Sequence, residues 1–392
     1  MNIIFAHDHR FKEDSNGNLY SGNDFNAEIW KRYKTIGENI TVIARCEKVY
    51  SKEKLNGYTL MNEENVKLVK MPNVNNIKEL IIKNRQIKSI IAKEVAKSDG
   101  IIIRLPSTIG NLVCSEAKKQ NKKYFIELVG CPWGSFWNHG SLSGKICAPI
   151  YYYLTKMKIK ESKYVIYVTN EFLQQRYPNK HMNIGCSDVS ISMINNYVLE
   201  NRIRKFKEKN IINLGLIGSL DVNYKGHETA IKALKEIVNC GYKINLRLIG
   251  PGDSKRWQKL AEELGVSENV YFDGLKKSGD EVYDWLDNID IYIQPSLIEG
   301  LPRAVVEAQS RGCATIVTNC GGMNELVDKE FIVNRKDYKN LASKILILIN
   351  NEDLLEEQYI SNFEKSKLYD KNKLDSLRFK FYDDFKKYIR SN

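Results

Sequence analysis

Residues 296–327 read SLIEGLPRAVVEAQSRGCATIVTNCGGMNELV. Two carboxylates, Glu299 and Glu307, stand eight positions apart. A Gly-Leu-Pro turn follows the first, and a glycine pair, Gly321–Gly322, closes the stretch. An apolar run, IDIYIQ (289–294), lies just ahead, and another, ATIVT (314–318), lies inside. Short continuous apolar runs bounded by turn residues suit strands covered on both faces. Pro302 suits the first helical position, because it has no amide hydrogen to leave unpaired. The Ala/Val-rich run after it predicts a helix over 302–312. Strand, loop, helix, strand is the repeating unit of a parallel sheet, and such sheets bind ligands at the carboxyl ends of their strands.

The same alternation runs through the whole chain. In the first half the predicted strands are 2–6, 40–44, 66–71, 100–105, 124–129 and 164–169, with helices over 23–36, 76–98, 110–121 and 145–160. In the second half the strands are 212–218, 244–250, 269–274, 289–294 and 314–318, with helices over 225–239, 253–265, 279–287, 302–312 and 337–350. Strands separated by helices of this length make parallel, doubly wound sheets. The fold class is therefore α/β, with two Rossmann-like domains expected at 1–198 and 199–370 and a ligand cleft where they face each other. The charged, aperiodic ENRIRKFKEKN (200–210) marks the boundary. The terminal segment 371–392 reads as an amphipathic helix. Its Leu377, Phe379, Phe381, Tyr382, Phe385 and Tyr388 need a surface to pack on, and the first domain is the one expected to supply it.

At 392 residues the chain is long for one domain and comfortable for two. Its eight cysteines are scattered with no CxxC pair, which argues against a zinc site or a disulfide framework and for a reducing compartment. No signal peptide and no apolar run of spanning length is read, so the expected location is the cytoplasm, with room for peripheral attachment at the inner face of the plasma membrane. The net charge of +12 is unevenly placed: residues 1–198 carry 29 basic and 18 acidic groups, the remainder 31 and 30. A basic half suits an anionic partner such as a lipid surface or a phosphorylated acceptor, although an AT-rich genome that inflates Lys, Asn and Ile gives the same excess. No nucleic-acid recognition motif accompanies the charge. KICAPIYYYLTKMKIK (145–160) mixes aromatic and apolar residues with four lysines. It suits a helix at an anionic membrane surface, and equally a core helix with a solvated lysine face.

In the opening stretch, the amides of Gly300 and Leu301 and the first helical turn form a positive pole suited to phosphate or a developing oxyanion. Glu299 beside it would repel phosphate but can accept hydrogen bonds from sugar hydroxyls. Glu307 lies among Ala304, Val305, Val306 and Ala308, and a carboxylate in such company needs a partner. A ribose diol is one such partner; Arg303, four residues earlier, in a surface ion pair is the other.

EGLPRAVVEA, with the GCATIVTNCGGMNEL that follows it, resembles the E-x7-E signature of retaining family-4 glycosyltransferases of GT-B fold. NLGLIGSLDVNYKGHETAIKAL (213–234) and VYFDGLKKSGDEVYDWLDNIDIYIQPS (270–296) extend the resemblance over residues 200–330. It implies transfer of a hexosyl-type sugar, with retention, from a nucleotide-sugar to a saccharide or lipid-linked saccharide in bacterial surface polysaccharide assembly. It further implies that Glu307 holds the donor ribose, that Glu299 faces the transferred sugar, and that Gly300, Leu301 and Pro302 line sugar and phosphate. Lys225 would neutralise the diphosphate as its bond to the sugar breaks. Ser219 stands where the family carries an arginine; it can bind phosphate but brings no charge, so Lys225 acts alone or with Arg303. Gly274 and Leu275 would flank the base, and Gly321–Gly322 with Glu325 form a turn where the chain must approach the ligand closely. No cofactor is implied beyond the substrate itself, a UDP-sugar ahead of a GDP-sugar. No metal is implied either, since no Asp-x-Asp pair stands in a suitable loop.

The first half matches only in layout. Gly22 lies in the first strand-to-helix loop, where the family has a glycine-rich turn; a simple loop is the alternative. Gly130 and Cys131 stand where many relatives carry a histidine. Glu127 and His139 are candidates for acceptor or sugar contact, His139 equally for packing, and Arg104 suits an anionic acceptor. The rival functions are a nucleotide-sugar epimerase on the same scaffold and a non-catalytic nucleotide or glycan binder.

Overall fold

The computed structural model describes residues 1–22, 25–55, 57–72, 77–137, 142–192, 194–206 and 211–391. Among them the chain forms two units. One comprises Met1–Trp133, Ile146–Cys186 and Ser376–Asn392; the other comprises Gly134–Lys145 and Ser187–Asp375.

Strands of the first unit are β1 (Asn2–Glu13), β2 (Leu19–Gly22), β3 (Asn39–Lys48), β4 (Tyr58–Leu60), β5 (Val66–Met71), β6 (Gly100–Leu105), β7 (Tyr124–Leu128), β8 (Tyr164–Tyr167) and β9 (Met182–Gly185). Parallel pairs run β5-β3-β1-β6-β7-β8-β9. The register of β1 against β3 shifts between Ala6 and Arg10, and β1 pairs with β6 only through Ala6. Past that bulge β1 continues and takes the short β2-β4 ribbon antiparallel at its far end. The sequence places no strand at 19–22, 58–60 or 182–185. These are short pieces without a continuous apolar run, and hydrophobic periodicity is blind to them.

The second unit holds β10 (Ile212–Ile217), β11 (Ile244–Ile249), β12 (Val270–Phe272), β13 (Ile291–Gln294), β14 (Ala314–Thr318) and β15 (Ile332–Val333). They are ordered β12-β11-β10-β13-β14-β15, and all pairs are parallel. In both sheets the third, second and first parallel strands are followed by the fourth, fifth and sixth. The winding therefore reverses between β1 and β6 and between β10 and β13. Ligands of open parallel sheets bind at such a reversal, outside the carboxyl ends of the two strands. Ile291, Tyr292 and Ile293 are fully buried, each side chain adding roughly 1.5–3 kcal/mol of apolar burial, which fixes the strand that carries the opening motif.

The stretch 200–210 is not an aperiodic linker. Asn196–Phe206 is a helix, and residues 207–210 lie outside the described set. Arg202 is 7% exposed and donates to the carbonyls of Arg311 (2.6 Å), Leu286 (2.8 Å) and Ile289. Those carbonyls end the Asp280–Leu286 and Arg303–Ser310 helices, where intrahelical donors run out. A buried guanidinium doing this is indistinguishable, by sequence, from a solvated one.

The terminal helix, Lys371–Arg390, belongs to the first unit from Ser376 onward. Phe381, Tyr382 and Phe385 are buried. Phe125 on β7 meets Phe385 edge-on at 4.9 Å, and Tyr164 on β8 stacks on Tyr388 at 5.1 Å. Leu377 and Phe379 do not join them and stay about 40% exposed; Phe379, two positions from Phe381, lies on the other side of the helix.

Candidate active site

Two loops leave the reversal point of the second sheet, 218–226 after β10 and 295–302 after β13. Glycines set how close they come. At Gly226, φ is +86°, and an added Cβ would stand 2.1 Å from the Pro295 carbonyl oxygen. Only glycine fits that crossing. Gly218 has no side chain because the stem of Lys225 lies on it, with Cγ 2.9 Å from where a Cβ would be. The Leu297 amide donates to the Tyr224 carbonyl at 2.8 Å, tying the loops together. Lys225 is thereby delivered onto Glu299: Nζ lies 2.8 Å from Oε1, and the Ser296 hydroxyl donates to the same oxygen at 2.8 Å.

The glycine pair of the opening stretch has a related purpose. Gly321 has φ +58°, and a Cβ there would stand 2.1 Å from the Glu299 carbonyl oxygen. The Gly322 amide donates to the Gly300 carbonyl at 2.6 Å. The close approach made at this turn is to the backbone of Glu299 and Gly300, where the sequence reading expected a ligand.

The helix after the second loop spans Arg303–Ser310, and Pro302 is its N-cap, with φ −75° and ψ 116°, not its first helical residue. Extended ψ at Pro302 lets the chain enter the helix with its first-turn amides facing out of the loop. Among the described residues no side chain caps them, so the orphan donors and the positive end of the helix remain available to an anion. Leu301 and Ala304 pack on the core, and Val305 and Val306 are fully buried, which holds this end in place.

Glu307 is 5% exposed. Among the described residues its carboxylate meets one charge, Arg303 Nη1 at 4.0 Å. Burial pushes its pKa up to about 7, against the weaker pull of Arg303. The Arg303–Glu307 pair therefore exists, but on a buried carboxylate and at long range, not on a solvated face. Ser219 accepts a long hydrogen bond from the Asp221 amide, 3.4 Å. Gly274, with φ +74°, follows β12, and its carbonyl accepts from the Gly250 amide at 3.0 Å. Leu275 beside it is 71% exposed. The root of this loop is pinned by Asp273, which accepts from Arg247 Nε and Nη2 (2.8 and 2.9 Å) and from Trp285 Nε1 (2.7 Å).

The first-half candidates are placed differently. Arg104 Nη1 lies 3.2 Å from Glu127 Oε2, which also accepts from Tyr33 at 2.6 Å, while Tyr382 donates to Oε1 at 3.2 Å. Glu127 is 3% exposed. The two charges offset each other within the first unit. Gly22 lies in β2, paired with Tyr58. His139 lies outside the described residues. Ser296, missed in the sequence, was discoverable as a hydroxyl two residues past the end of β13 and three ahead of Glu299. Among the described residues no three His, Cys, Asp or Glu side chains are grouped to hold a metal ion.

The geometry can be set beside known proteins. Residues 200–366 match the family described as Glycosyl transferases group 1. The chain is 34% identical to Protein CapJ of Staphylococcus aureus over 393 residues, covering 99% of this chain and 97% of that one. It is 30% identical over 166 residues to the capsular polysaccharide biosynthesis glycosyltransferase CapM of the same organism, covering 42% of this chain and 43% of that one. Among solved structures, Anabaena Alr3699/HepE in complex with UDP superposes with a TM-score of 0.66 at 15% identity, over 96% of this chain and 98% of that one. The fold is GT-B, and the chain belongs to the group 1 glycosyltransferases.

Proposed function

We propose that this chain moves a hexosyl-type sugar, with retention, from a nucleoside-diphosphate sugar to a saccharide or lipid-linked saccharide in the assembly of a bacterial capsular polysaccharide, without a metal ion. One observation carries the donor side. At the reversal point of the second sheet a lysine, an uncapped helix start and a nearly buried carboxylate with a single long-range partner come together. Lys225 and the first-turn amides suit the diphosphate, meeting the charge that grows on it as the glycosidic bond breaks. Glu307 suits the ribose diol, whose hydroxyls would supply the donors its carboxylate lacks. Glu299 suits the transferred sugar. The UDP bound by HepE and the capsule role in the name of CapM favour a UDP-sugar and a polysaccharide acceptor.

A panel of UDP, GDP, ADP, TDP and CMP in thermal melts tests the donor. The right nucleotide at about 100 times its Kd should stabilise by about 2.7 kcal/mol. No shift with any of them would remove the donor assignment.

The acceptor partner we propose is presented at an anionic membrane face. No helix of the described residues is long and apolar enough to cross a membrane. On the Leu142–Glu161 helix, however, Ile146, Ile150, Tyr153 and Leu154 are 43–62% exposed. At 3.6 residues per turn they share one face, opposite the buried Ala148, Thr155 and Ile159, with Lys156 and Lys160 on its flank. An outward apolar stripe edged by lysines suits the headgroup zone of an anionic bilayer. Flotation with phosphatidylglycerol vesicles should carry the protein up, and phosphatidylcholine vesicles should not; equal behaviour would refute the membrane partner.

A further inference from the structure

Among the described residues every hydrogen bond to the Glu299 carboxylate falls on one oxygen. Lys225 Nζ and Ser296 Oγ lie 2.8 Å from Oε1, and Gln294 Nε2 lies 3.5 Å from it. Among the described residues Oε2 accepts no hydrogen bond from the protein. Behind Ser296 runs a buried chain. Tyr292, Gln294 and Ser296 are two residues apart along and just past β13, so they share a face of the strand, and all three are at most 1% exposed. The Ile217 amide of neighbouring β10 lies 3.2 Å from the Tyr292 hydroxyl; that hydroxyl lies 2.5 Å from Gln294 Oε1, and Gln294 Nε2 lies 2.8 Å from Ser296 Oγ.

The direction of every bond in this chain is fixed. A backbone amide can only donate, so the Tyr292 oxygen accepts and its hydrogen goes to Gln294 Oε1. The Gln294 amide nitrogen then faces Ser296, whose oxygen accepts from it, and the serine hydrogen goes to Glu299 at 2.8 Å in preference to the Lys225 carbonyl at 3.4 Å. Burial pushes the Tyr292 phenol well up, so it stays a donor throughout the working pH range. Linked bonds running one way polarise each other.

We propose that Tyr292, Gln294 and Ser296 are positioning residues that anchor Glu299 through Oε1 and reserve Oε2 for a hydroxyl of the transferred sugar. The proposal rests on the donor reading above and deepens it. The nucleotide itself does not use this chain, because ribose and base meet other residues.

The test separates sugar from nucleotide. Titration calorimetry measures UDP, GDP and their glucose, galactose and N-acetylhexosamine conjugates against the wild type, Ser296→Ala, Ser296→Thr and Tyr292→Phe. Tyr292→Phe removes one oxygen and keeps the ring, so it retains the packing. Expected is a wild type that distinguishes at least one conjugate from its bare nucleotide. In Ser296→Ala that conjugate weakens by roughly tenfold or more, as loss of a hydrogen bond to a charged group implies, and in Tyr292→Phe by roughly threefold to tenfold, as loss of a neutral one implies, while the bare nucleotide stays within twofold. Ser296→Thr, which keeps the hydroxyl, restores the conjugate. Equal loss of nucleotide and conjugate would reduce the chain to general support, and unchanged conjugate binding would remove it from the site; either result overturns the proposal. If neither UDP nor GDP binds the wild type, the donor reading falls and this proposal falls with it. Nucleotide binding with intact sugar recognition in the variants would sink this proposal alone.

Discussion

The two sheets wind alike yet treat their reversal points in opposite ways. In the first unit, the helix that follows β6, Thr108–Lys119, has its opening amides taken by its own chain. Asp8, in the bulge of β1, accepts from the amides of Thr108 and Ile109, and the Ser107 hydroxyl accepts from Gly110 at 2.8 Å. Arg45 stands 3.4 Å from the same aspartate, and Arg104 and Glu127 neutralise each other nearby in the strand order. In the second unit, the helix that follows β13 has no side-chain cap, and Glu307 has one charged neighbour at 4.0 Å. The same topology can thus be spent on itself or left open to a ligand. The difference shows in which polar groups the chain has already satisfied, not in the winding.

Four substitutions probe that contrast. The largest effect is expected from Lys225→Ala, which removes the cation from the open site: turnover with the cognate donor should fall roughly 10²–10³-fold, the scale of losing one transition-state charge contact. Gly321→Ala comes next. Its Cβ would collide with the Glu299 carbonyl at an unfavourable φ, so it should cost about 2 kcal/mol or more of stability and depress turnover while leaving the first unit untouched. Hydrogen exchange resolved by segment would show the loss confined to the second unit.

Asp8→Asn in the closed site should cost about 1–2 kcal/mol in thermal melts, as for a lost helix cap, with nucleotide affinity unchanged. The most diagnostic effect is the pH dependence of Glu307. Its folded pKa, about 7, is above its ordinary 4.5, so the ligand-free protein holds a proton there that the unfolded chain releases. Stability should therefore decline as pH rises from about 4.5 to about 7 and level off above, by linkage. Nucleotide affinity should rise across the same window if the ionised carboxylate receives the ribose hydroxyls. Glu307→Gln should flatten both curves, and a slope surviving that change would assign it to another group.

The strands and the donor-side motif were visible in the sequence; the contrast between the two reversal points was not. The strands at 100–105 and 314–318 are found where the apolar runs put them, because burial on both faces leaves few polar positions to confuse the pattern, and 66–71 is found there too although Lys67 and Lys70 are exposed. The opening motif singled out Glu299 and Glu307 and the stretch 213–234 singled out Lys225, and the fold brings Lys225 and Glu299 into contact. What escaped was polar and buried. Arg202 looked like part of a linker, Arg104 and Glu127 looked available, and Tyr292 and Gln294 looked like ordinary strand residues. Whether a polar side chain faces solvent or a partner from a distant segment depends on tertiary pairing, which local periodicity does not encode. Asp8 is the clearest instance, since it lies a hundred residues from the helix it caps.

Titration of UDP by calorimetry into the wild type, Glu307→Ala and Asp8→Asn tests the central claim most directly, because it sets the open reversal point against the closed one. The account predicts at least about a tenfold loss of affinity for Glu307→Ala, the worth of a hydrogen bond to a charged group, and none for Asp8→Asn. Undiminished binding by Glu307→Ala, or an equal loss from Asp8→Asn, would contradict it.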